Sequence, residues 1–271
     1  MKGKLTVGLV AVSAVMVALC VVVVAGASAA EPAIYECAKA AKTKTKPAHY
    51  TGGYNDKTCS EVNATHEGMY ELQEWNLTAK KGKAKDFKGK AGGTNLEIKG
   101  TGGVACTSNS DVGVFTGPKT AGKIVVTFKG CELNQHKCAN TTKAGEIVTN
   151  PLKGEVGYIE EGGKATSKVG VQIGPETGLF EAEFDCGELE LRVTGGVIGF
   201  VTSTENVFIK QATLLFQESF GEQKFTKLVG KAAVHLEAEL RSGGSGEWSP
   251  GNESGESDQI TNKGELLELK A

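Results

Sequence analysis

Apolar and polar residues alternate with a period of two along much of the chain. In LELRV, Leu189–Val193, and in VHLEAEL, Val234–Leu240, every second residue is apolar and the residues between are mostly charged. KIVVTFK, Lys123–Lys129, places Ile124, Val126 and Phe128 on one face. A period of two is typical of strands with one buried face. These short segments are separated by turns rich in the chain's 37 glycines. The pattern therefore predicts an all-β, antiparallel domain, built as a β-sandwich, a jelly-roll-like fold or a barrel.

The same pattern divides the chain into segments. Residues 31–79 form a small N-terminal segment tied by cysteines, in which we expect Trp75 to be buried where the segment docks. Residues 80–93 are rich in lysine and glycine and are interpreted as a connector. Residues 94–271 carry the β-sandwich domain. Within it, the Gly/Ser/Glu-rich stretch 241–258 is predicted to be a mobile loop, and QITNKGELLELK supplies a strand that returns to the sheet.

The first thirty residues have the composition of a signal peptide. Lys2 and Lys4 precede an uncharged run rich in valine and alanine, which ends on the small residues of ASAA before Glu31. We predict cleavage near Ala30, which leaves a protein outside the cytoplasm with no membrane segment. The run is also long enough to span a bilayer, so an uncleaved anchor is the alternative.

Cleavage would remove Cys20 and leave six cysteines, an even number that is typical of disulfides in exported chains. FKGCELNQHKC reads as a strand, a polar loop and a returning segment. The spacing of its two cysteines does not match a structural zinc site. We therefore interpret the pair as a disulfide that closes a hairpin, rather than as metal ligands with His136. The predicted pairs are Cys37–Cys59, Cys131–Cys138 and Cys106–Cys186.

Several longer stretches carry a resemblance to a known family. They are GPKTAGKIVVTFKGCELNQHKC, GEIVTNPLKGEVGY, FEAEFDC, VTGGVIGFVTS and TNKGELLEL. With the leader and the early cysteine pair, they resemble a family of exported, β-rich proteins from soil actinobacteria with no established activity. The resemblance implies export and a β fold, and it assigns no catalytic or binding residue.

The sequence offers few groups for catalysis. It has four histidines and five aspartates, and none of the nucleophile, zinc, calcium or nucleotide motifs. We predict no catalytic residue, no metal and no cofactor. The favoured function is a non-enzymatic secreted or cell-envelope protein, acting as a structural or binding module. The alternative is a small extracellular hydrolase, resembling a glycosidase, that uses paired carboxylates on strands, because the 27 glutamates offer many pairs.

The charges are unevenly distributed. Residues 31–130 contain 15 lysines against 10 acidic residues, whereas residues 131–271 contain 13 basic against 22 acidic residues. Positive charge in the first part favours an anionic cell-wall or extracellular polymer, or another envelope protein, as partner. Arginine is scarce and no aromatic residues lie between the lysines, which argues against nucleic acid. Trp248 lies in the polar stretch, where an exposed indole could stack on a sugar; the alternative is that it folds back onto its own domain as a local anchor. The candidate polymer-binding residues are Lys80, Lys81, Lys83, Lys85, Lys88, Lys90 and Trp248, and the alternative for the lysines is a solvated, flexible linker.

Overall fold

The computed structural model describes residues 32–75, 85–98, 102–202, 211–219, 222–244, 246–252, 257–262 and 267–270. The regular structure in these ranges consists of antiparallel strands, which confirms the predicted all-β class. Within the same ranges, no helix is long and apolar enough to cross a membrane. The predicted signal peptide, residues 1–30, lies outside the described residues.

Eight strands form a barrel. They follow one another in the order β7-β11-β12-β15-β16-β21-β3-β6, and the pairing of β6 with β7 closes the ring. A short strand, β10, extends the sheet beside β7. The bounds are β3 (Lys85–Ala91), β6 (Ser108–Phe115), β7 (Thr120–Lys129), β10 (Glu146–Val148), β11 (Leu152–Glu161), β12 (Lys164–Pro175), β15 (Val197–Val201), β16 (Gln211–Leu215) and β21 (Ser257–Asn262).

A second sheet of eight strands packs against this barrel. Its order is β20-β19-β14-β13-β9-β8-β5-β4, and its two edge strands approach each other. The bounds are β4 (Thr94–Ile98), β5 (Gly102–Cys106), β8 (Glu132–Leu133), β9 (His136–Ala139), β13 (Phe180–Cys186), β14 (Leu189–Gly195), β19 (Leu236–Ser242) and β20 (Ser249–Asn252). Alternate residues of these strands, among them Leu191, Val193 and Ala238, are buried in a common core with Ile147 and Phe128 of the barrel sheet, as their period of two predicts.

The N-terminal segment forms a third sheet. It has the order β2-β1-β22, with β1 (Ala33–Lys39), β2 (Tyr70–Glu74) and β22 (Leu267–Lys270). The predicted disulfide Cys37–Cys59 is present. Trp75 is fully buried against Ile34 and Phe115, so the expected docking contact is confirmed. A two-stranded ribbon, β17 (Glu218–Ser219) with β18 (Glu222–Gln223), completes the described strands.

The loop between β1 and β2 is organised by the carboxylate of Asp56. This carboxylate accepts hydrogen bonds from the backbone N–H groups of Thr58, Ser60 and Glu61, at 3.1, 2.9 and 2.7 Å. The hydroxyl of Thr58 also donates to it and is the main reason why the pKa of Asp56 lies well below its usual range; the backbone N–H of Glu61 is the next cause. The carboxylate thus binds the backbone on both sides of Cys59.

Two segment predictions were wrong in part. Residues 85–91 of the predicted connector form β3, because Phe87 and Gly89 face the barrel interior while Lys88 and Lys90 alternate with them on the outside. The predicted loop 241–258 contains the end of β19, all of β20 and the start of β21. QITNKGELLELK divides between two sheets, since β21 belongs to the barrel and β22 pairs with β1.

The predicted hairpin within FKGCELNQHKC is present. Strands β8 and β9 pair through a turn at Asn134 and Gln135, both of which have positive φ angles, as in type I′ turns. Cys131 and Cys138 lie opposite each other at its base, where the N–H of Cys138 donates to the carbonyl of Cys131 at 2.9 Å.

The predicted pairing of the four remaining cysteines was nevertheless wrong. The disulfides are Cys106–Cys131 and Cys138–Cys186, instead of Cys131–Cys138 and Cys106–Cys186. The strand registers place all four cysteines in one row across β5, β8, β9 and β13. The end members of that row are three strand spacings apart, about 14 Å, which is far beyond the reach of a disulfide. Cys131 therefore bonds to Cys106, and Cys138 bonds to Cys186, each along the row. Three disulfides are consistent with an oxidising environment.

Candidate functional site

The described lysines of the predicted cluster do not all lie on one face. Lys80, Lys81 and Lys83 lie outside the described residues. Lys85, Lys88 and Lys90 lie on β3, where the strand period divides them. Lys88 and Lys90 are exposed on the outer face of the barrel, whereas the side chain of Lys85 is 15% exposed.

Lys85 is a structural residue in this fold. Its ammonium lies 3.4 Å from a carboxylate oxygen of Glu36, whose side chain is 4% exposed. The other oxygen of Glu36 accepts a hydrogen bond from Gln73 at 3.3 Å. Glu36 belongs to β1 and Lys85 to β3, so this ion pair joins the N-terminal sheet to the barrel. Assigning Lys85 to a solvated, polymer-binding connector was therefore wrong, because the side chain is committed to a buried partner.

Lys88 and Lys90 stand on a sheet surface with few acidic neighbours. In the cross-strand rows, Lys90 lies beside Ser110 and then Thr127, and Lys88 lies beside Val112 on the adjacent strand. Lys129 is exposed two residues beyond Thr127 on the same face of β7. The exposed Asp86 lies on this face at the far end of β3. We call this surface, the outward residues of β3, β6 and β7, the lysine face.

The N-terminal lysines are also at the surface. Lys39, Lys42, Lys44 and Lys46 are exposed. The ammonium groups of Lys39 and Lys42 lie over the ring of Tyr50, at 5.5 and 4.7 Å from its centroid. A hydrogen bond with Lys39, more than any other contact, lowers the pKa of the Tyr50 phenol from its ordinary value.

Trp248 lies between β19 and β20, and its side chain packs against the sheet. Its indole ring lies against two guanidinium groups, with Arg192 at 4.0 Å and Arg241 at 4.7 Å from the ring centroid. These arginines form ion pairs with Glu239 and Glu190 on the neighbouring strands. Of the two interpretations of Trp248, these contacts bear out the local anchor, because the ring attaches its own segment to β14 and β19.

A cavity of about 200 Å³ occupies the barrel interior and reaches the second sheet. Its walls are mainly aliphatic and aromatic. Five phenylalanines contribute to the lining: Phe87, Phe115, Phe128 and Phe184 from four different strands, and Phe216 just beyond β16. Glycines make room for inward groups, since a Cβ at Gly89 would lie 1.9 Å from the carboxylate of Asp111, and a Cβ at Gly113 would lie 2.4 Å from the ring of Phe87.

Polar side chains interrupt the apolar lining at a few points. Asp111 and Glu181 both line the cavity and are 5% and 7% exposed. Asn109 and Gln223 contribute carboxamides, and Thr149 contributes a hydroxyl that accepts the N–H of Val126 at 3.0 Å.

None of these polar residues was identified from the sequence. The available signal was the stretch SNSDVGVF, in which polar residues at 109 and 111 alternate with Val112 and Val114. The alternation alone does not show which of the two faces of this strand is buried. In the structure Asn109 and Asp111 face inward and Val112 is 49% exposed.

Metal-binding geometry is not found in the part of the chain that the structure describes, where no three His, Cys, Asp or Glu side chains are grouped to hold an ion. His136, the histidine of the cysteine hairpin, is exposed beside the turn. Comparison with known proteins gives no match to any family model, curated protein or solved structure.

Proposed function

We propose that this protein is a non-enzymatic, exported binding module that attaches to an anionic extracellular or cell-wall polymer through its lysine face. The observation that carries the proposal is the exposure of Lys88 and Lys90 side by side on one face of a paired sheet. A rigid sheet holds the backbone positions of the two lysines at a fixed spacing, so a polyanion can engage both with little loss of backbone freedom.

Export is part of the proposal. The apolar N-terminal run with its small-residue exit supports it, and three disulfides suit an oxidising compartment. An acidic surface on another envelope protein would present the same chemistry as the polymer. The exposed lysines at 39–46 add positive charge in the same half of the chain.

The test is retention on polygalacturonate-coupled resin in a salt gradient. We expect wild-type protein to be retained at low ionic strength and released by salt, because surface charges are screened as ionic strength rises. Replacing Lys88 and Lys90 by glutamine should weaken binding roughly two- to thirtyfold, which corresponds to the loss of two surface ion pairs.

The matched control replaces two exposed lysines on the opposite side of the barrel, Lys164 and Lys224, by glutamine. It makes the same change in net charge. Equal weakening in the two double variants would mean that overall charge, rather than the lysine face, holds the polymer. Absence of any salt-dependent retention of the wild-type protein would refute the proposed function.

Hydrolysis by paired carboxylates is a second candidate, because Asp111 and Glu181 line the same cavity. A hydrolase of this type needs two carboxyl groups on either side of a scissile bond. Release of nitrophenol from a panel of nitrophenyl glycosides, lost in both Asp111→Asn and Glu181→Gln, would support it. No release by the wild-type protein would leave binding as the function.

A further inference from the structure

The barrel cavity is large enough to hold a small organic molecule. At about 200 Å³ it exceeds the volume of an apolar protein cavity known to bind benzene, about 150 Å³. Well-packed cores contain few voids larger than a water molecule, so a cavity of this size is a departure from ordinary packing. The five phenylalanines and the aliphatic side chains around it give it apolar walls that hold water weakly.

The wall carries a hydrogen-bond acceptor that is fixed in orientation. The Nε2 of Gln223 donates to the carbonyl of Gly196 at 3.2 Å. A carbonyl oxygen only accepts hydrogen bonds, so the amide must present its Oε1 on the other side. This Oε1 is buried and accepts no hydrogen bond from any described residue. A buried acceptor without a donor costs about 1–3 kcal/mol, which a donor on a bound molecule would recover.

A second acceptor has the same arrangement. The Nδ2 of Asn109 donates to the hydroxyl of Thr94 at 3.0 Å, and the Oδ1 of Asn109 is buried without a hydrogen bond from the described part of the chain. Asn109 lies on β6, where the alternation is inverted and polar residues face the interior. Departures from an otherwise consistent pattern are expected where a site is built into a fold.

The acidic residues that line the cavity restrict the charge of the ligand. Two acidic side chains, Asp111 and Glu181, line the cavity, and its described lining contains no lysine, arginine or histidine. An anionic head group placed there would lose its hydration and lie close to two acidic side chains, at high cost. A neutral hydroxyl or an ammonium group would meet acceptors instead.

We infer that the barrel cavity is a binding site for a small molecule with an apolar body about the size of one aromatic ring and a hydroxyl or amine group. This site is separate from the lysine face, and the two surfaces select opposite charges. The outer face attracts a polyanion, whereas the cavity excludes anions and admits neutral or cationic amphipathic molecules.

The experiment uses four probes that share one ring: toluene, benzyl alcohol, benzylamine and benzoate. Their binding to the full mature protein is measured by isothermal titration calorimetry and by the rise in melting temperature that a ligand of the native state causes. We expect benzyl alcohol or benzylamine to bind best, and benzoate at least tenfold more weakly.

Gln223→Leu removes the fixed acceptor. It should reduce the preference for benzyl alcohol over toluene by about fivefold, the effect of one hydrogen bond. The matched control is Gln172→Leu. Gln172 also has a buried Oε1 without a partner among the described residues, but it lies on the face of β12 opposite the cavity. This control should leave the preference unchanged.

A cavity-filling variant, Val171→Phe, should abolish binding of all four probes if it folds. If it does not fold, the two glutamine variants still decide the question. Three results would overturn the inference: no binding of any probe to the wild-type protein, benzoate binding as tightly as benzyl alcohol, or an unchanged alcohol preference in Gln223→Leu.

Discussion

The row of four cysteines predicts which double substitutions leave free thiols. With the bonds Cys106–Cys131 and Cys138–Cys186, replacing Cys106 and Cys131 together by alanine removes one disulfide and leaves every other cysteine paired. Replacing Cys131 and Cys138 instead breaks both bonds. It leaves Cys106 and Cys186 about 14 Å apart at the two ends of the row, too far to pair with each other.

The sizes of the two rings set the expected losses of stability. The sequence separations are 25 residues for Cys106–Cys131 and 48 residues for Cys138–Cys186. In the loop-entropy model these rings stabilise the fold by about 3.5 and about 4 kcal/mol. The rings do not overlap along the chain, so the losses should add to about 7.5 kcal/mol when both bonds are broken. For a domain of this size, about 3.5 kcal/mol corresponds to a fall in melting temperature of roughly 7–14 °C.

The assay combines thiol titration in denaturant with thermal unfolding. Cys106→Ala/Cys131→Ala should show no free thiol and the smaller fall in melting temperature. Cys131→Ala/Cys138→Ala should show two free thiols and a fall about twice as large. Peptide mapping of the wild-type protein without reduction identifies the bonds directly.

The opposite pattern would refute the reasoning. If Cys131 were bonded to Cys138, Cys131→Ala/Cys138→Ala would lose only a short ring, worth about 2.4 kcal/mol in the same model. Cys106→Ala/Cys131→Ala would then expose a thiol at Cys138. Either result would mean that the disulfide pairs differ from Cys106–Cys131 and Cys138–Cys186.

Two further predictions concern the N-terminal sheet. Lys85→Gln removes the partner of a buried carboxylate and should cost about 2–3 kcal/mol of stability, less than a fully buried pair because Lys85 is 15% exposed. Lys90→Gln, an exposed lysine on the same strand, is the control, and equal unfolding midpoints in denaturant for the two variants would contradict the assignment. Asp56 has a lowered pKa in the folded state, so its contribution to loop order should be complete above its ordinary pKa of about 3.9 and be lost only as the pH falls through the lower folded value. The protection factors of the amides in loop 56–61, taken relative to an unfolded peptide at the same pH, should therefore stay high at about pH 3.5 in the wild-type protein and be low at every pH in Asp56→Ala. Wild-type protection that is already lost at about pH 4 would contradict this sign.

Local alternation predicted strands such as β7, β14 and β19, because a half-buried strand needs an apolar residue at every second position. The segment 85–91 shows where composition misled. KDFKGKA has three lysines and one large apolar residue, yet it still alternates, with Phe87 inward and Lys88 and Lys90 outward. A barrel strand with a glycine at an inward position needs few apolar side chains when neighbouring groups, here the carboxylate of Asp111, occupy the space.

Strand and disulfide pairing between segments far apart in the sequence could not be predicted from local alternation. The pairing of β22 with β1 joins the two ends of the chain, and nothing in either short segment specifies its partner. The disulfide pairs depend on the register of four strands, because a shift of one residue would turn a cysteine to the opposite face. Cys106 and Cys186 are both buried, but two cysteines that face the same core are not necessarily neighbours in a row.

Strand β6 connects the fold to the inferred ligand. A barrel that served only as a scaffold would gain stability from apolar residues at 109 and 111, since buried polar groups contribute little and cost free energy when they lack partners. The chain instead places a carboxamide and a carboxylate there and exposes Val112, while Gly89 on the adjacent strand leaves room for the carboxylate. Inward polar groups and outward lysines on the neighbouring strand β3 produce a barrel wall whose two sides favour ligands of different charge. The packing of the fold does not require that arrangement, which supports the proposal that both sides of the wall bind ligands.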